Sequence, residues 1–393
     1  MSKKVTLFSP FIFPELISTG KYNTSLVNAL AAANYSVEVV ASYPLYPEWK
    51  PKKTNATLQD VRIHRAGLFN YPKSMELRRM QLEIGFMFHA VRHLIRNRKQ
   101  DIVIPVFPPM LFFLPVALLL PGHTAKVGIV HDVQGIMAGV TNSPAKVWLL
   151  KFIQYFEKKV FSCCDKLIFV SRSMAKKAID SYRLDPDKVS VAYPFVNINT
   201  GVLTNDLESF FPEDKKHIVY SGAMGAKQNP HDLLKFFIAF AKSRPDAMCH
   251  IFSRGPLFDE LKNRQIAGSE KIAFHDLVPE DNLYELYRRS HVQIIPQKPG
   301  TSEGAIPSKL PNIIAAGTPV FSIGDPGSDL SDLIDRSGIG YSAKSWDIGS
   351  LVTELEKFLD LSLRSSHSDR QISVNNFVKK NFGIKKLIQM IVE

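Results

Sequence analysis

Cysteine is scarce in this chain: three residues in 393, two of them adjacent (Cys163, Cys164) and the third far away at Cys249. They offer neither a disulfide framework nor a metal-ligand spacing, which points to a reducing cytoplasm. An unbroken apolar run of membrane-spanning length is also lacking. The most hydrophobic stretch, 102–120, is interrupted by Pro105, Pro108, Pro109 and Pro115. It reads as a buried strand (Ile102–Val106), a Pro-Pro turn and an apolar helix. The opening MSKKVTLFSPFIFPEL carries two lysines, but its apolar run is too short and Pro-broken for a signal peptide. Ser18-Thr19-Gly20-Lys21-Tyr22 lacks the leading glycine and the hydroxyl after lysine that a P-loop needs. Asp185-Pro186-Asp187 has turn composition in a helix-to-strand connection, so no metal is expected there.

Acidic residues are under-represented in one half only. Residues 1–200 carry 26 Lys+Arg against 13 Asp+Glu, and the remainder 23 against 24, so the whole net charge of +12 sits on the first half. Such a field attracts a membrane surface, a lipid-linked phosphate or nucleic acid. No nucleic-acid-binding module is recognisable, and none is expected. Met75–Lys99 reads as a long amphipathic helix, with Leu77, Met80, Ile84, Met87, Phe88, Val91 and Ile95 along one side and Arg78, Arg79, Arg92, Arg96 and Arg98 on others. It fits a membrane-surface helix or a packed helix with a basic outer face.

Strand–loop–helix–strand order recurs along the chain and then restarts. Val5–Ser9, a Pro-containing loop, a helix over Lys21–Asn34 and Val37–Ser42 open an α/β sheet. Strand Val127–Val130 delivers His131-Asp132-Val133-Gln134-Gly135 at its carboxyl end, where open α/β sheets bind ligands. Strands Lys166–Val170 and Val189–Ala192 complete the first half, with Ser171 capping a helix to Tyr182. The second half runs from His217–Tyr220 through a Gly-containing loop, Ser221–Gln228, to Gly340–Tyr341. The expected division is 1–196 and 197–374, with 375–393 as a terminal piece and a helix over Phe377–Ile391.

The stretch TSEGAIPSKLPNIIAAGTPV, 301–320, reads as loop, helix, turn and strand, with Ser308 as N-cap and Leu310, Ile313, Ile314 and Gly317 on the apolar face. Lys309 in a first helical turn opposes the macrodipole unless an anion docks there. Gly222-Ala223-Met224-Gly225-Ala226-Lys227 offers a second close backbone approach with a cation.

Together these residues resemble the GT-B retaining glycosyltransferases of family 4, in particular the capsule, colanic-acid and O-antigen branch. The matches are Ser18–Tyr22, Tyr46-Pro47-Glu48-Trp49, Gly222–Lys227, Glu303, Ser308, Lys309, Gly317, Pro319 and Val320. Asn312 stands where the family usually has a ribose-holding Glu. The resemblance implies an α/β fold of two Rossmann-like domains with a cleft between them. The first would bind acceptor, 375–393 would pack back on it, and the second would bind nucleotide-sugar. It implies donor contacts from Gly222, Gly225, Lys227, Asp276, Leu277, Val278, Glu303, Ser308, Lys309 and Asn312. Ser18, Thr19, Gly20 and Lys21 would form an acceptor loop, and His131, Asp132, Lys227, Glu303 and Lys309 would serve the chemistry. The implied reaction moves a sugar from a UDP-sugar, such as UDP-N-acetyl-L-fucosamine, to an undecaprenyl-diphosphate-linked saccharide, without metal or cofactor. The implied site of action is the inner face of the plasma membrane. Two rivals remain open: a GT-B sugar-nucleotide epimerase, and a non-catalytic nucleotide-sugar-binding partner in an assembly complex.

Overall fold

The computed structural model describes residues 2–15, 17–46, 48–133, 135, 144–201, 203–264, 271–302, 304 and 306–393, with 144–146 as backbone alone. The chain divides into two compact units: Met1–Tyr193 with Ile384–Glu393, and Pro194–Gly383.

The first unit contains β1 (Lys4–Phe8), α1 (Ser18–Ala32), β2 (Ser36–Ser42), β3 (Val61–Ala66), α2 (Met75–Arg96), β4 (Ile102–Phe107) and α3 (Phe113–Leu119). Then come β5 (Ala125–Val130), α4 (Pro144–Ser162), β6 (Lys166–Phe169), α5 (Arg172–Tyr182) and β7 (Val189–Val191). The strands pair in parallel in the order β3-β2-β1-β4-β5-β6-β7. Parallel sheets are covered on both faces, which is why β1, β2 and β4 read as nearly continuous apolar runs. On one face Phe8, Val40, Val103 and Phe107 meet Phe86, Ala90 and Leu94 of α2 and Phe112, Phe113 and Phe161. The Pro-rich run 102–120 therefore resolves into β4, a turn and the short α3, as the proline spacing requires. Among the described residues no helix is long and apolar enough to cross a membrane.

Two expectations are corrected in this unit. Helix α1 begins at Ser18, not Lys21, so Ser18, Thr19, Gly20 and Lys21 form a helical first turn rather than a loop. Gly20 reads as a loop residue in sequence, but here it marks a close approach: a Cβ would stand 3.0 Å from both Cβ and O of Glu15. Helix α2 ends at Arg96, capped at its start by Ser74. Its packed face is Leu82, Phe86, Ala90, His93 and Leu94, whereas Leu77, Met80, Ile84, Phe88 and Ile95 are exposed.

The second unit contains β8 (Lys216–Ser221), α6 (Pro230–Ser243), β9 (Ala247–Ser253), α7 (Pro256–Asn263), β10 (Ile272–Asp276), α8 (Leu283–Arg289) and β11 (Val292–Pro296). It continues with α9 (Leu310–Ala315), β12 (Val320–Ile323), α10 (Asp329–Ser337), β13 (Gly340–Ala343), α11 (Ile348–Ser362) and α12 (His367–Phe382). Its sheet is parallel, ordered β10-β9-β8-β11-β12-β13. Gly317 ends α9 at φ +71°, and a Cβ there would lie 2.6 Å from the His367 carbonyl. Helix α12 thus packs directly on the turn, and Arg370 Nε donates to the Gly317 carbonyl at 2.9 Å.

The single terminal helix expected over Phe377–Ile391 is two. Helix α12 stops at Phe382, and α13 (Ile384–Val392) follows after Gly383 and packs on α1 in the first unit. A Cβ on Gly383 would sit 2.6 Å from the Lys379 carbonyl, so the break falls where only glycine fits. The helix before β12 also differs from expectation. It spans only six residues, its N-cap is Lys309 rather than Ser308, and no side chain caps it.

Candidate active site

In both sheets the central strands β1 and β4, or β8 and β11, send their following loops in opposite directions. The carboxyl edge at such a reversal is where open α/β sheets hold ligands.

In the second unit this edge gathers most of the expected residues. Ser221 ends β8 and Gly222 follows at φ +132°, its N–H donating to the Phe252 carbonyl at 2.9 Å. Ser253 Oγ donates to the Gly222 carbonyl at 2.7 Å, so the turn is fixed from the neighbouring strand. Lys309 reaches into this corner. Its Nζ donates to the Ser221 carbonyl at 2.7 Å and lies 4.3 Å from the centre of the Tyr220 ring. Burial pushes its pKa down to about 7. A six-residue helix aligns few peptide dipoles, so the cation at this edge comes from the Lys309 side chain rather than from a helix end.

Lys227 lies exposed in a single 3-10 turn, Ala226–Gln228, with Gly225 just before it. Its carbonyl accepts from the Lys298 N–H at 2.8 Å, which ties the loop after β8 to the loop after β11. Gly225 N–H donates to Gln228 Oε1 at 2.9 Å. Ser308 is exposed, and Glu303 lies outside the described residues.

Asn312 is buried and holds Asn197: its Oδ1 accepts from the Asn197 N–H at 3.0 Å and its Nδ2 donates to Asn197 Oδ1 at 2.7 Å. The structure therefore gives it a partner in the segment after β7.

Asp276, Leu277 and Val278 leave β10 beside a histidine relay that the sequence reading missed. The Pro212 carbonyl can only accept, so His217 Nε2 donates to it (2.9 Å) and His217 Nδ1 is left to accept. His250 Nε2 donates there at 3.0 Å, and His250 Nδ1 accepts in turn from His275 Nε2 at 3.2 Å. One carbonyl thus sets three tautomers. Burial pushes His250 down to about 2, so the relay is neutral, and it fixes His275 immediately before Asp276.

A second missed residue is Asp325, just after β12. It accepts from the N–H groups of Gly300 (2.9 and 3.0 Å) and Ser302 (3.2 Å), while Ser302 Oγ accepts from its own N–H at 3.1 Å. Partial burial works against its charge, but those donors win and hold its pKa below the ordinary carboxylate range. Asp325-Pro326-Gly327 at a strand end was the available signal, since Asp before Pro-Gly is turn chemistry.

In the first unit His131 follows β5, its N–H donating to the Phe107 carbonyl at 2.9 Å. Its ring stands edge-on to Tyr22 at 4.7 Å, and its sealed Nε2 has no hydrogen-bond partner. Burial pushes it down to about 4, so it is a neutral imidazole at pH 7. Asp132 is exposed and accepts from the Val133 N–H at 2.9 Å. The segment after β1 is pinned by Glu15, also missed in sequence, whose carboxylate accepts from Leu45 N–H (2.7 Å) and Tyr46 N–H (3.1 Å). Asn23 Nδ2 donates to Ser9 Oγ and to the Phe11 carbonyl, each at 2.9 Å. Ser18 is exposed and Thr19 and Lys21 are half-buried on the same turn. Asp185 caps its own turn, accepting from Asp187 N–H at 3.1 Å, so that pair is structural.

Known proteins match this arrangement over nearly the whole chain. A family model described as Glycosyltransferase Family 4 matches residues 19–200, and one described as Glycosyl transferases group 1 matches 204–375. The putative colanic acid biosynthesis glycosyl transferase WcaI of Escherichia coli strain K12 is 23% identical, covering 96% of this chain and 98% of its own. The probable glycosyltransferase WbjE of Pseudomonas aeruginosa is also 23% identical, over 92% and 91%. Among solved structures, WaaG, a glycosyltransferase involved in lipopolysaccharide biosynthesis, superposes with a TM-score of 0.71 at 13% identity, covering 99% of both chains.

Proposed function

The chain belongs to the family 4, group 1 glycosyltransferases, and from that premise we propose that it moves a sugar from a UDP-sugar to an undecaprenyl-diphosphate-linked saccharide in surface polysaccharide assembly. The observation that carries the reading is the Lys309 ammonium, held on the Ser221 carbonyl at the carboxyl edge of β8 beside the open backbone of Gly222. A departing nucleoside diphosphate needs a fixed cation and close backbone approach, and this corner supplies both. The relatives named for colanic acid and lipopolysaccharide synthesis support an acceptor of that class.

In the proposed reaction the bond between the anomeric carbon and the diphosphate oxygen breaks as the acceptor hydroxyl attacks from the same face. The hydroxyl proton passes to the leaving diphosphate, whose charge Lys309 offsets. Lys227 and Glu303 would complete the donor site, and His131 and Asp132 would face the transferred sugar or acceptor. Asp276, Leu277 and Val278 would meet the base, held in place by His275. No metal is assigned to this chemistry. The exposed apolar and basic face of α2 supports an anionic membrane surface as the place of action.

The test is a screen of nucleotide sugars against undecaprenyl-diphosphate-linked saccharides in excess EDTA, read by mass spectrometry. Transfer with retained anomeric configuration is the expected result. Isomerised sugar nucleotide without acceptor, or turnover that returns only with Mn²⁺ or Mg²⁺, would overturn it.

A further inference from the structure

Away from that edge, the first unit carries a cluster that sugar transfer does not use. Glu38 is the third residue of β2, His64 the fourth of β3, and His93 lies in the last turn of α2. In the β2–β3 register Glu38 is opposite Arg62 and Val40 opposite His64, so alternation places Glu38 and His64 on one face of the sheet. Helix α2 packs on that face, through Phe86, Ala90 and Leu94 against Val40 and Phe8, and delivers His93 to it. Glu38 Oε2 lies 3.7 Å from His93 Nε2 and 3.9 Å from His64 Nε2. All three atoms fall within 4.8 Å of one another.

We propose that Glu38, His64 and His93 bind one zinc-class divalent cation that cross-links β2, β3 and α2. Three observations carry this. First, the would-be ligand atoms, Glu38 Oε2, His64 Nε2 and His93 Nε2, are themselves buried atoms with no hydrogen-bond partner, although Glu38 and His93 are each only 6% exposed. Unsatisfied buried polar atoms are rare in folded proteins, and three converging on one point ask for a common partner. Second, two imidazoles and one carboxylate form a borderline nitrogen–oxygen donor set. That set suits zinc and leaves a position for water, whereas magnesium and calcium want oxygen alone. Third, the spacing is near that of a bound site. Ligand bonds of about 2.1 Å at a tetrahedral ion place donor atoms about 3.4 Å apart, inside the glutamate–histidine distances of 3.7 and 3.9 Å by about 0.3 and 0.5 Å.

The surroundings fit a ligand set of three. His89, one turn before His93, is committed elsewhere, since its Nε2 donates to the His64 carbonyl at 2.9 Å. His64, with its side chain 39% exposed, is the ligand nearest solvent. The opposing charges are Lys4, whose Nζ lies 3.1 Å from Glu38 Oε2 outside hydrogen-bonding alignment, and Arg62, 4.0 Å from Glu38 Oε1. Lys4 is partly exposed and long enough to turn to solvent as a cation enters. Glu38 and His93 lie toward the amino ends of the strands, whereas His131 follows the carboxyl end of β5. The cation is therefore a clamp on the fold and takes no part in transfer.

The experiment titrates Zn²⁺, and Mg²⁺ in parallel, into the chelator-stripped full chain, reading stoichiometry by competition with a chromophoric chelator and stability by thermal denaturation. One equivalent of Zn²⁺ should bind with a dissociation constant on the order of micromolar or below, raise the melting temperature, and leave Mg²⁺ without effect. Co²⁺ in place of Zn²⁺ should give visible bands of a four- or five-coordinate site. Glu38→Gln and His64→Gln should each weaken binding at least about 100-fold, because even outer-shell changes cost about 10–100-fold. His64→Gln decides the matter where Glu38→Gln fails to fold, since His64 is the more exposed. Absence of stoichiometric Zn²⁺, or unchanged affinity in His64→Gln, would overturn the site and assign any binding to scattered histidines and thiols.

Discussion

Asn312 and Asn197 hold each other by two hydrogen bonds, backbone N–H to Oδ1 at 3.0 Å and Nδ2 to Oδ1 at 2.7 Å. The backbone N–H can only donate, so it fixes which end of the Asn312 amide is oxygen, and the other end must then donate. The residue that the family usually replaces with Glu is here a clasp on the segment that enters the second unit.

Asn312→Glu should therefore be harmful rather than a gain of a ribose contact. A carboxylate can accept from the Asn197 N–H but cannot donate to Asn197 Oδ1, and it leaves two oxygens facing each other in a buried site. A loss of about 1–3 kcal/mol is expected in urea denaturation. Equal or greater stability, together with tighter donor binding, would show that Asn312 is a ribose ligand first.

Lys309→Met should lower turnover by about a hundredfold or more while leaving the fold intact, as expected for loss of one fixed charge at a developing anion. Stability gives an independent readout. Burial holds the folded pKa at about 7, below the unfolded value of about 10.4. Between those values the unfolded chain binds more protons than the folded one, so stability rises with pH across that window. The wild type should therefore gain on Lys309→Met as pH climbs from about 7 toward 10. Parallel urea midpoints across that range would mean that Lys309 titrates as a solvated lysine.

Much of this arrangement was legible because it rests on patterns of adjacent residues. Parallel strands buried on both faces read as apolar runs, and Ser171 and Gly317 announced a helix start and a helix end. What escaped the sequence depends on distant partners. Glu15 matters through Leu45 and Tyr46, Asp325 through Gly300 and Ser302, and His275 through a relay that ends at Pro212. The start of the helix over Ser18–Ala32 is hidden because Gly20 reads as a breaker, when its lack of a side chain is what lets Glu15 approach. Helix α2 is legible in the sequence, yet its apolar residues are too many for periodicity to separate the packed face from the exposed one.

Asp325→Ala should loosen the loop after β11. Two backbone N–H groups of that loop, those of Gly300 and Ser302, lean on one carboxylate. The fall expected is in donor affinity, seen as a raised KM for nucleotide sugar with little change in kcat. Because the folded pKa lies below the unfolded one, the stabilisation is full above the ordinary carboxylate range and is lost as pH falls through the folded pKa. Acid titration of wild type and variant should thus converge at low pH and separate as pH rises. Divergence in the opposite direction would remove Asp325 from the role of loop anchor.

The outer face of the first unit is apolar and basic at once. Helix α2 exposes Met75, Leu77, Met80, Ile84, Phe88 and Ile95, and Phe88 alone is 67% exposed. Helix α3 packs against both α2 and α4, and these neighbours add Leu118 and then Trp148, Leu149, Phe152 and Tyr155 to the exposed apolar set. Arg79, Arg92, Arg96 and Arg98 stand exposed on or just beyond α2. An apolar stripe flanked by arginines suits an anionic bilayer surface, where each Lys or Arg contributes about 1 kcal/mol and the attraction decays over roughly 8 Å at physiological salt. Arg78 is left out of the test, because its guanidinium lies 4.6 Å over the Trp49 ring and its loss would disturb packing. Flotation with liposomes should show binding that requires anionic lipid and weakens with salt. Reversal of Arg79, Arg92, Arg96 and Arg98 to Glu should abolish the anionic-lipid requirement and most of the binding. Phe88→Ser with Leu77→Ser should weaken the salt-resistant remainder, since aromatic and leucine side chains insert rather than pair. Both sets leave the second unit untouched, so affinity for a soluble nucleotide sugar should persist. Undiminished flotation in both would show that this face packs against a protein or water rather than lipid.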